Sequence, residues 1–274
     1  MRFLGSLPGI AMLLEIESLS VSYRDASGAV VSAARDVSLS LDRGEVLGLV
    51  GESGSGKSSV ALSVPRLLPS PPAFYLQGRI LFEGRDILKM PLDELRRVRG
   101  DRIGVVFQDP MGSLSPLWRI GDQLAETILL HRDVSKASAR ETALEWLGKV
   151  SLPDPARVAR AYPHELSGGM QQRVMIAMAL MLDPALVIAD EPTTALDVTV
   201  QKDILSLVRK LHAASSAVLL ISHDLGVVSY LSTKLAVMKD GEIVERSDDV
   251  REFFAHQSHP YSRSLVAEAR KMSV

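Results

Sequence analysis

Four places in this chain carry residues whose types and spacing could do chemistry on a nucleoside triphosphate. Gly51, Glu52, Ser53, Gly54, Ser55, Gly56, Lys57 and Ser58 fit the pattern G-x-x-x-x-G-K-[ST]. Glycines at that spacing let successive backbone N–H groups turn inward as an anion nest, and a following helix start adds partial positive charge. Lys57 would bring a point charge to the β- and γ-phosphates, and the Ser58 hydroxyl a ligand for Mg2+. Asp190 and Glu191 end the apolar run 186–189. Asp190 is expected to hold Mg2+, and Glu191 to orient and deprotonate the attacking water. His223, after the apolar run 218–221, is placed to reach the γ-phosphate, and Gln108, after 104–107, to approach Mg2+ and water. Taken singly, each has an ordinary reading as a glycine turn, a strand-end acid pair or a local cap.

These residues need elements that carry them to one edge. Residues 46–50 are apolar without polar alternation, and so are 104–107, 186–189 and 218–221. That is the pattern of strands buried on both faces of a parallel sheet. Helical stretches at 57–68, 171–182, 198–212 and 224–231 separate them, and such alternation argues for an α/β sheet with right-handed crossovers. Ligands of such sheets sit at the carboxyl ends of the strands, where the phosphate loop and the acid pair both fall. Short strands at 13–17, 37–41 and 79–82 predict an antiparallel sheet near the N-terminus. Residues 109–165 carry helical patterns at 120–131 and 136–150 between proline-rich joints, and predict a helical insertion. The divisions expected are a tail at 1–11, a core at 12–108 and 166–247, the helical insertion, and a C-terminal segment at 248–274.

Composition narrows the classes. The 274 residues are 46% hydrophobic and 23% charged, as in ordinary soluble globular proteins. A formal net charge of −2 gives no general pull toward nucleic acid, so no nucleic-acid partner is expected. The chain has no cysteine, which excludes disulfides, thiolate metal sites and Fe–S clusters. It also has no asparagine, which removes the N-K-x-D guanine reader of a GTPase. The richest apolar stretch, 174–189, is broken by Asp183-Pro184 and falls short of the roughly 20 residues a membrane helix needs. A membrane role must then come through a partner. Met12 is the expected start in preference to Met1.

Leu166, Ser167, Gly168, Gly169, Met170 and Gln171 resemble L-S-G-G-x-Q, the signature of ATP-binding cassette (ABC) ATPases. The order of motifs resembles that family too: phosphate loop, Gln108, signature, Asp190-Glu191, Ala195-Leu196-Asp197, His223. The resemblance implies an α/β P-loop NTPase of the ABC-ATPase type. Its parts would be a parallel-sheet core, an N-terminal antiparallel β-subdomain and an inserted α-helical subdomain. It implies ATP and Mg2+ as cofactors, with Tyr23 stacking on adenine. Two such domains face head to tail in the family. Ser167, Gly168, Gly169 and Gln171 would therefore serve ATP held by the partner's phosphate loop, with Asp197 at the interface between the two sites.

Narrower strings resemble the peptide/nickel importer branch: 51–57, 108–111, 191–201, and the tail element His259-Pro260-Tyr261-Ser262-Arg263-Ser264-Leu265. The resemblance implies a subunit peripheral to the cytoplasmic face of the membrane. It would pair with a second ATPase subunit, a paralogue or another copy, beneath two transmembrane permeases fed by an extracytoplasmic binding protein. Cargo would be peptides, nickel or metal–chelator complexes. Longer members carry a cysteine-rich segment, so this cysteine-free chain resembles the shorter nickel-type or dipeptide-type subunits. Cassettes acting on ribosomes or DNA usually come in tandem or with a long coiled coil, and this chain shows neither. Intact Lys57, Asp190, Glu191 and His223 disfavour a non-catalytic scaffold.

Overall fold

The structure, a computed structural model, describes residues 12–192, 198–211 and 216–272. The chain runs through β1 (Leu14–Arg24), β2 (Val30–Leu41), β3 (Val46–Val50), α1 (Lys57–Ser63), β4 (Ala73–Phe82), β5 (Arg85–Asp86), α2 (Leu92–Val98) and β6 (Ile103–Val106). Helices α3 (Pro110–Ser113), α4 (Ile120–His131), α5 (Lys136–Lys149), α6 (Pro155–Arg160) and α7 (Gly168–Leu180) follow before β7 (Leu186–Asp190). Then come α8 (Val198–Leu211), β8 (Ala217–Ser222), α9 (Leu225–Leu231), β9 (Lys234–Lys239), β10 (Glu242–Ser247), α10 (Val250–Ala255) and α11 (Pro260–Met272).

Two sheets result. The first is antiparallel in the order β2-β1-β4-β5, and the second has the order β10-β9-β3-β8-β7-β6. In the second, β3, β6, β7, β8 and β9 are parallel, and β10 closes the edge as an antiparallel hairpin with β9. Successive side chains of a strand point to opposite faces, so this sheet divides two cores. Leu47, Leu49, Leu186, Ile188, Leu219 and Ile221 face the antiparallel sheet and α1. Val187, Ala189, Val218 and Leu220 face the core shared with α4, α5 and α7. The uninterrupted apolar runs of the sequence have this cause. Each fully buried Leu or Ile contributes about 1.5–3 kcal/mol.

Register places the ends of these strands level with one another. Val50 pairs with Ser222, Asp190 with Ile221, and Val106 with Ala189. The residues that follow leave one sheet edge side by side.

Several elements differ from the sequence reading. β1 and β2 extend well beyond 13–17 and 37–41, because β1 is bulged: its register shifts between Ile16 and Leu19, and Ser18 has φ 47°. Each shift reverses the inside–outside alternation, so no single period-2 run spans the strand. The helix expected over 57–68 ends at Ser63, ahead of Pro65, and the one expected from 171 begins at Gly168. The hairpin β9–β10, turning at Asp240-Gly241, has no counterpart in the sequence reading.

Candidate active site

The phosphate loop connects β3 to α1, and two of its glycines are required by space. Gly51 has φ 152°, and a Cβ there would lie 2.1 Å from the Met238 carbonyl oxygen; Gly56 has φ 100°, with Ala33 O at 1.9 Å. No other residue permits backbone approach this close. Lys57 is 4% exposed and its ammonium lies inside the loop, donating to Gly51 O at 2.8 Å and Glu52 O at 2.7 Å, with Ser55 Oγ at 3.4 Å. Burial lowers its pKa, partly countered by the charges of Glu191, Asp190 and Glu52. A cation already seated among carbonyls, in a loop whose glycines admit no side chain, fits an incoming polyphosphate.

At the neighbouring strand end, Ser58 Oγ donates to Asp190 Oδ1 at 2.9 Å. Asp190 is 5% exposed, and burial raises its pKa, offset in part by the Ser58 hydrogen bond. A hydroxyl and a carboxylate facing each other are hard oxygen donors, a set suited to Mg2+ and not to soft metals.

Glu191 follows directly. Its backbone N–H donates to Ile221 O at 2.9 Å, and its φ of 47° turns it out of the strand direction. Gln108 Nε2 donates to Glu191 Oε2 at 2.9 Å, and His223 Nδ1 lies 3.2 Å from Oε1. Both carboxylate oxygens are therefore held from the ends of β6 and β8. His223 is not the cap of α9: that is Asp224, whose Oδ1 accepts from Gly226 N and Val227 N. The imidazole is left 57% exposed at the site.

Of the remaining expected residues, Tyr23 is half-buried and its hydroxyl shares a 3.0 Å hydrogen bond with Ser59 Oγ, next to Ser58. Ser167 precedes α7 as its N-cap, yet its hydroxyl makes no capping bond and is exposed. A Cβ on Gly168 would meet nothing within 4 Å. Gln171 differs from its neighbours: it is 5% exposed and donates to Pro163 O at 2.8 Å and Leu166 O at 3.2 Å, bracing the signature from behind. Asp197, with Ala195 and Leu196, lies outside the described residues. One residue at the site, Tyr261, was missed altogether by sequence reasoning. Tyr261 of α11 accepts a hydrogen bond from the Glu52 backbone N–H of the phosphate loop. Its only signal was the tail element itself, about two hundred residues away in sequence, with no local pattern linking it to the loop.

A glycine-walled phosphate loop beside a strand-end Asp-Glu pair, at the carboxyl edge of a parallel sheet, defines a nucleoside-triphosphate site of the P-loop class. The family model described as ABC transporter matches residues 34–194, and the chain belongs to that family. It is 46% identical to the oligopeptide transport ATP-binding protein OppD of Bacillus subtilis over 259 residues, 94% of this chain and 72% of that one. It is 47% identical to a probable peptide ABC transporter ATP-binding protein of Sinorhizobium fredii, over 95% of this chain and 78% of that one. Among solved structures it resembles an ATP-binding cassette seen as a dimer in a post-hydrolysis state bound to ADP and Pi. The TM-score is 0.77 at 29% identity, covering 87% of this chain and 99% of the other.

Proposed function

We propose that this chain is the ATP-hydrolysing subunit of a peptide importer, working as a head-to-tail pair of cassettes docked on membrane permeases. The observation that carries the reading is Glu191, held at both carboxylate oxygens by Gln108 and His223 beside the Ser58–Asp190 pair. Such a carboxylate is oriented as a base, next to a built place for a metal–phosphate complex.

In this reading ATP lies in the loop 51–58, with Tyr23 against adenine. Lys57 exchanges its bonds to Gly51 O and Glu52 O for phosphate oxygens. Ser58, Asp190 and Gln108 hold Mg2+, which neutralises charge on the phosphates when bound. Glu191 takes a proton from water as that oxygen bonds to the γ-phosphorus and the bond to the bridging oxygen of ADP breaks. His223 keeps Glu191 in place and faces the γ-phosphate. Ser167 and the N–H groups of Gly168 and Gly169 serve the ATP of the opposite subunit, and Gln171 shapes that surface from inside. Asp197 belongs to the same interface.

Residues 109–165 are assigned to permease docking. Leu117, Trp118 and Leu130 are exposed there, in a groove rimmed by Arg119, Asp122 and Arg140. A cytoplasmic helix of a permease with apolar and polar faces suits such a groove. Among the described residues, no helix is long and apolar enough to cross a membrane. The names of the relatives favour peptide cargo over nickel or metal chelates, delivered by an extracytoplasmic binding protein.

The test is Glu191→Gln in the assembled transporter. ATP binding should persist, turnover should fall by at least about a hundredfold, and the closed dimer should accumulate on ATP. Hydrolysis at the wild-type rate would remove Glu191 as the base.

A further inference from the structure

The C-terminal helix α11 reaches the phosphate loop at one point. The Glu52 backbone N–H donates to the Tyr261 hydroxyl at 3.0 Å. This N–H belongs to the same peptide plane as the Gly51 carbonyl, which accepts from Lys57 Nζ at 2.8 Å. One peptide unit is thus pinned at both ends, by the loop's own lysine and by a tyrosine from the tail. The lysine pin is conditional: the ammonium that holds the Gly51 carbonyl is the group that must turn to the phosphates when ATP enters. The tyrosine pin does not have to move.

Tyr261 is itself firmly set. It is 8% exposed, and Lys239 Nζ lies 5.0 Å from its ring centroid, one residue beyond Met238, whose carbonyl abuts Gly51. Behind it, the Glu245 carboxylate accepts from Ser258 N at 2.6 Å, Ser258 Oγ at 2.8 Å and His259 N at 3.1 Å, fixing the turn into α11. A chain of bonds therefore runs from β10 through that turn to the first peptide of the loop.

We propose that Tyr261 is a positioning residue for ATP binding, holding the 51–52 peptide in orientation while Lys57 leaves it for the phosphates. The proposal rests on the ATP-site reading above and adds the tail to it.

Tyr261→Phe keeps the ring and its packing and removes the hydroxyl alone. In the full chain, affinity for ATP should fall about fivefold, the worth of one such hydrogen bond. In the assembled transporter the KM for ATP should rise in step, with kcat at saturating ATP within about twofold of wild type. Tyr261 with a purely structural role would lower the melting temperature without nucleotide and leave ATP affinity of the folded protein unchanged; that result would overturn the proposal. Lys57→Ala in parallel separates the two readings. If wild type binds ATP and Lys57→Ala does not, the site stands, and an unaltered affinity in Tyr261→Phe defeats the positioning role alone. If wild type binds no ATP, the site reading itself has failed.

Discussion

Ser58 and Asp190 stand 132 residues apart in sequence and 2.9 Å apart in space, the first turn of α1 against the last residue of β7. The bond exists because β3 and β7 both flank β8 in parallel register, which brings their carboxyl ends level. It compensates only part of what burial does to Asp190, whose pKa is raised, with Glu191 adding to the rise and Lys57 opposing it. A raised folded pKa means that the unfolded chain loses this proton first as pH increases. The group's contribution to stability is therefore present below its ordinary value of 3.8 and lost as pH rises through the folded value. Once ionised, the buried carboxylate works against the nucleotide-free fold. Asp190→Asn should raise the melting temperature of the nucleotide-free protein at neutral pH while abolishing Mg2+-dependent ATP turnover. A lower melting temperature would show that Asp190 is held by more than the groups around it here.

The loop glycines give a prediction of opposite sign. A Cβ on Gly56 would meet Ala33 O at 1.9 Å, and the residue's φ of 100° is costly for any L side chain. Gly56→Ala should destabilise the protein by at least about 2 kcal/mol in chemical denaturation, and weaken ATP binding as the loop moves off β2. Gly54→Ala is the contrast: φ is 81°, but a Cβ there meets nothing within 4 Å, so only the conformational cost applies. Equal losses in the two variants would mean that close packing on Ala33 is not what requires Gly56.

How much of this was legible in the sequence follows from which forces acted locally. The loop, the Asp190-Glu191 strand end and the central strands were readable, because a buried parallel strand has to be apolar throughout and glycine spacing is set by the ligand. The grip of Gln108 and His223 on Glu191 was not, since each residue was expected to face Mg2+, water or phosphate and not the carboxylate; strand register, a tertiary property, made those contacts. Gln171 was expected at the ATP face with the rest of the signature, but its amide turns inward and donates to the Pro163 and Leu166 carbonyls. The antiparallel strands were underestimated for another reason, because bulges at Ser18 and beyond break the alternation that reveals a strand.

The exposed, uncommitted hydroxyl of Ser167 gives the signature a separate test. Since it makes no capping bond, replacing it should not unravel α7. Ser167→Arg should leave ATP binding to the isolated chain and its melting temperature near wild type, and stop turnover in the assembled transporter. If ATP binding by the isolated chain were lost, the signature would be acting within its own subunit, and the head-to-tail arrangement would be wrong for this protein.

Acid sensitivity should arise far from the nucleotide site, at His131. This residue ends α4 beside Gly100, where a Cβ would come within 2.9 Å of Nε2. Burial lowers its pKa, with the Asp101 carboxylate opposing and the Arg132 charge adding to the fall. Arg132 Nη1 also donates to Asp101 Oδ1 at 2.5 Å, and burial outweighs the pull of that carboxylate on the imidazole. With the folded pKa below the ordinary 6.5, the unfolded chain takes up the proton first as pH falls. Stability from this group is thus present above 6.5 and lost as pH drops through the folded value. His131→Gln, which cannot become charged, should show a smaller fall in melting temperature between about pH 8 and about pH 5.5 than the wild type does. An identical fall in both proteins would place the acid-sensitive group elsewhere, and restoring the wild-type slope with any uncharged residue at 131 would do the same.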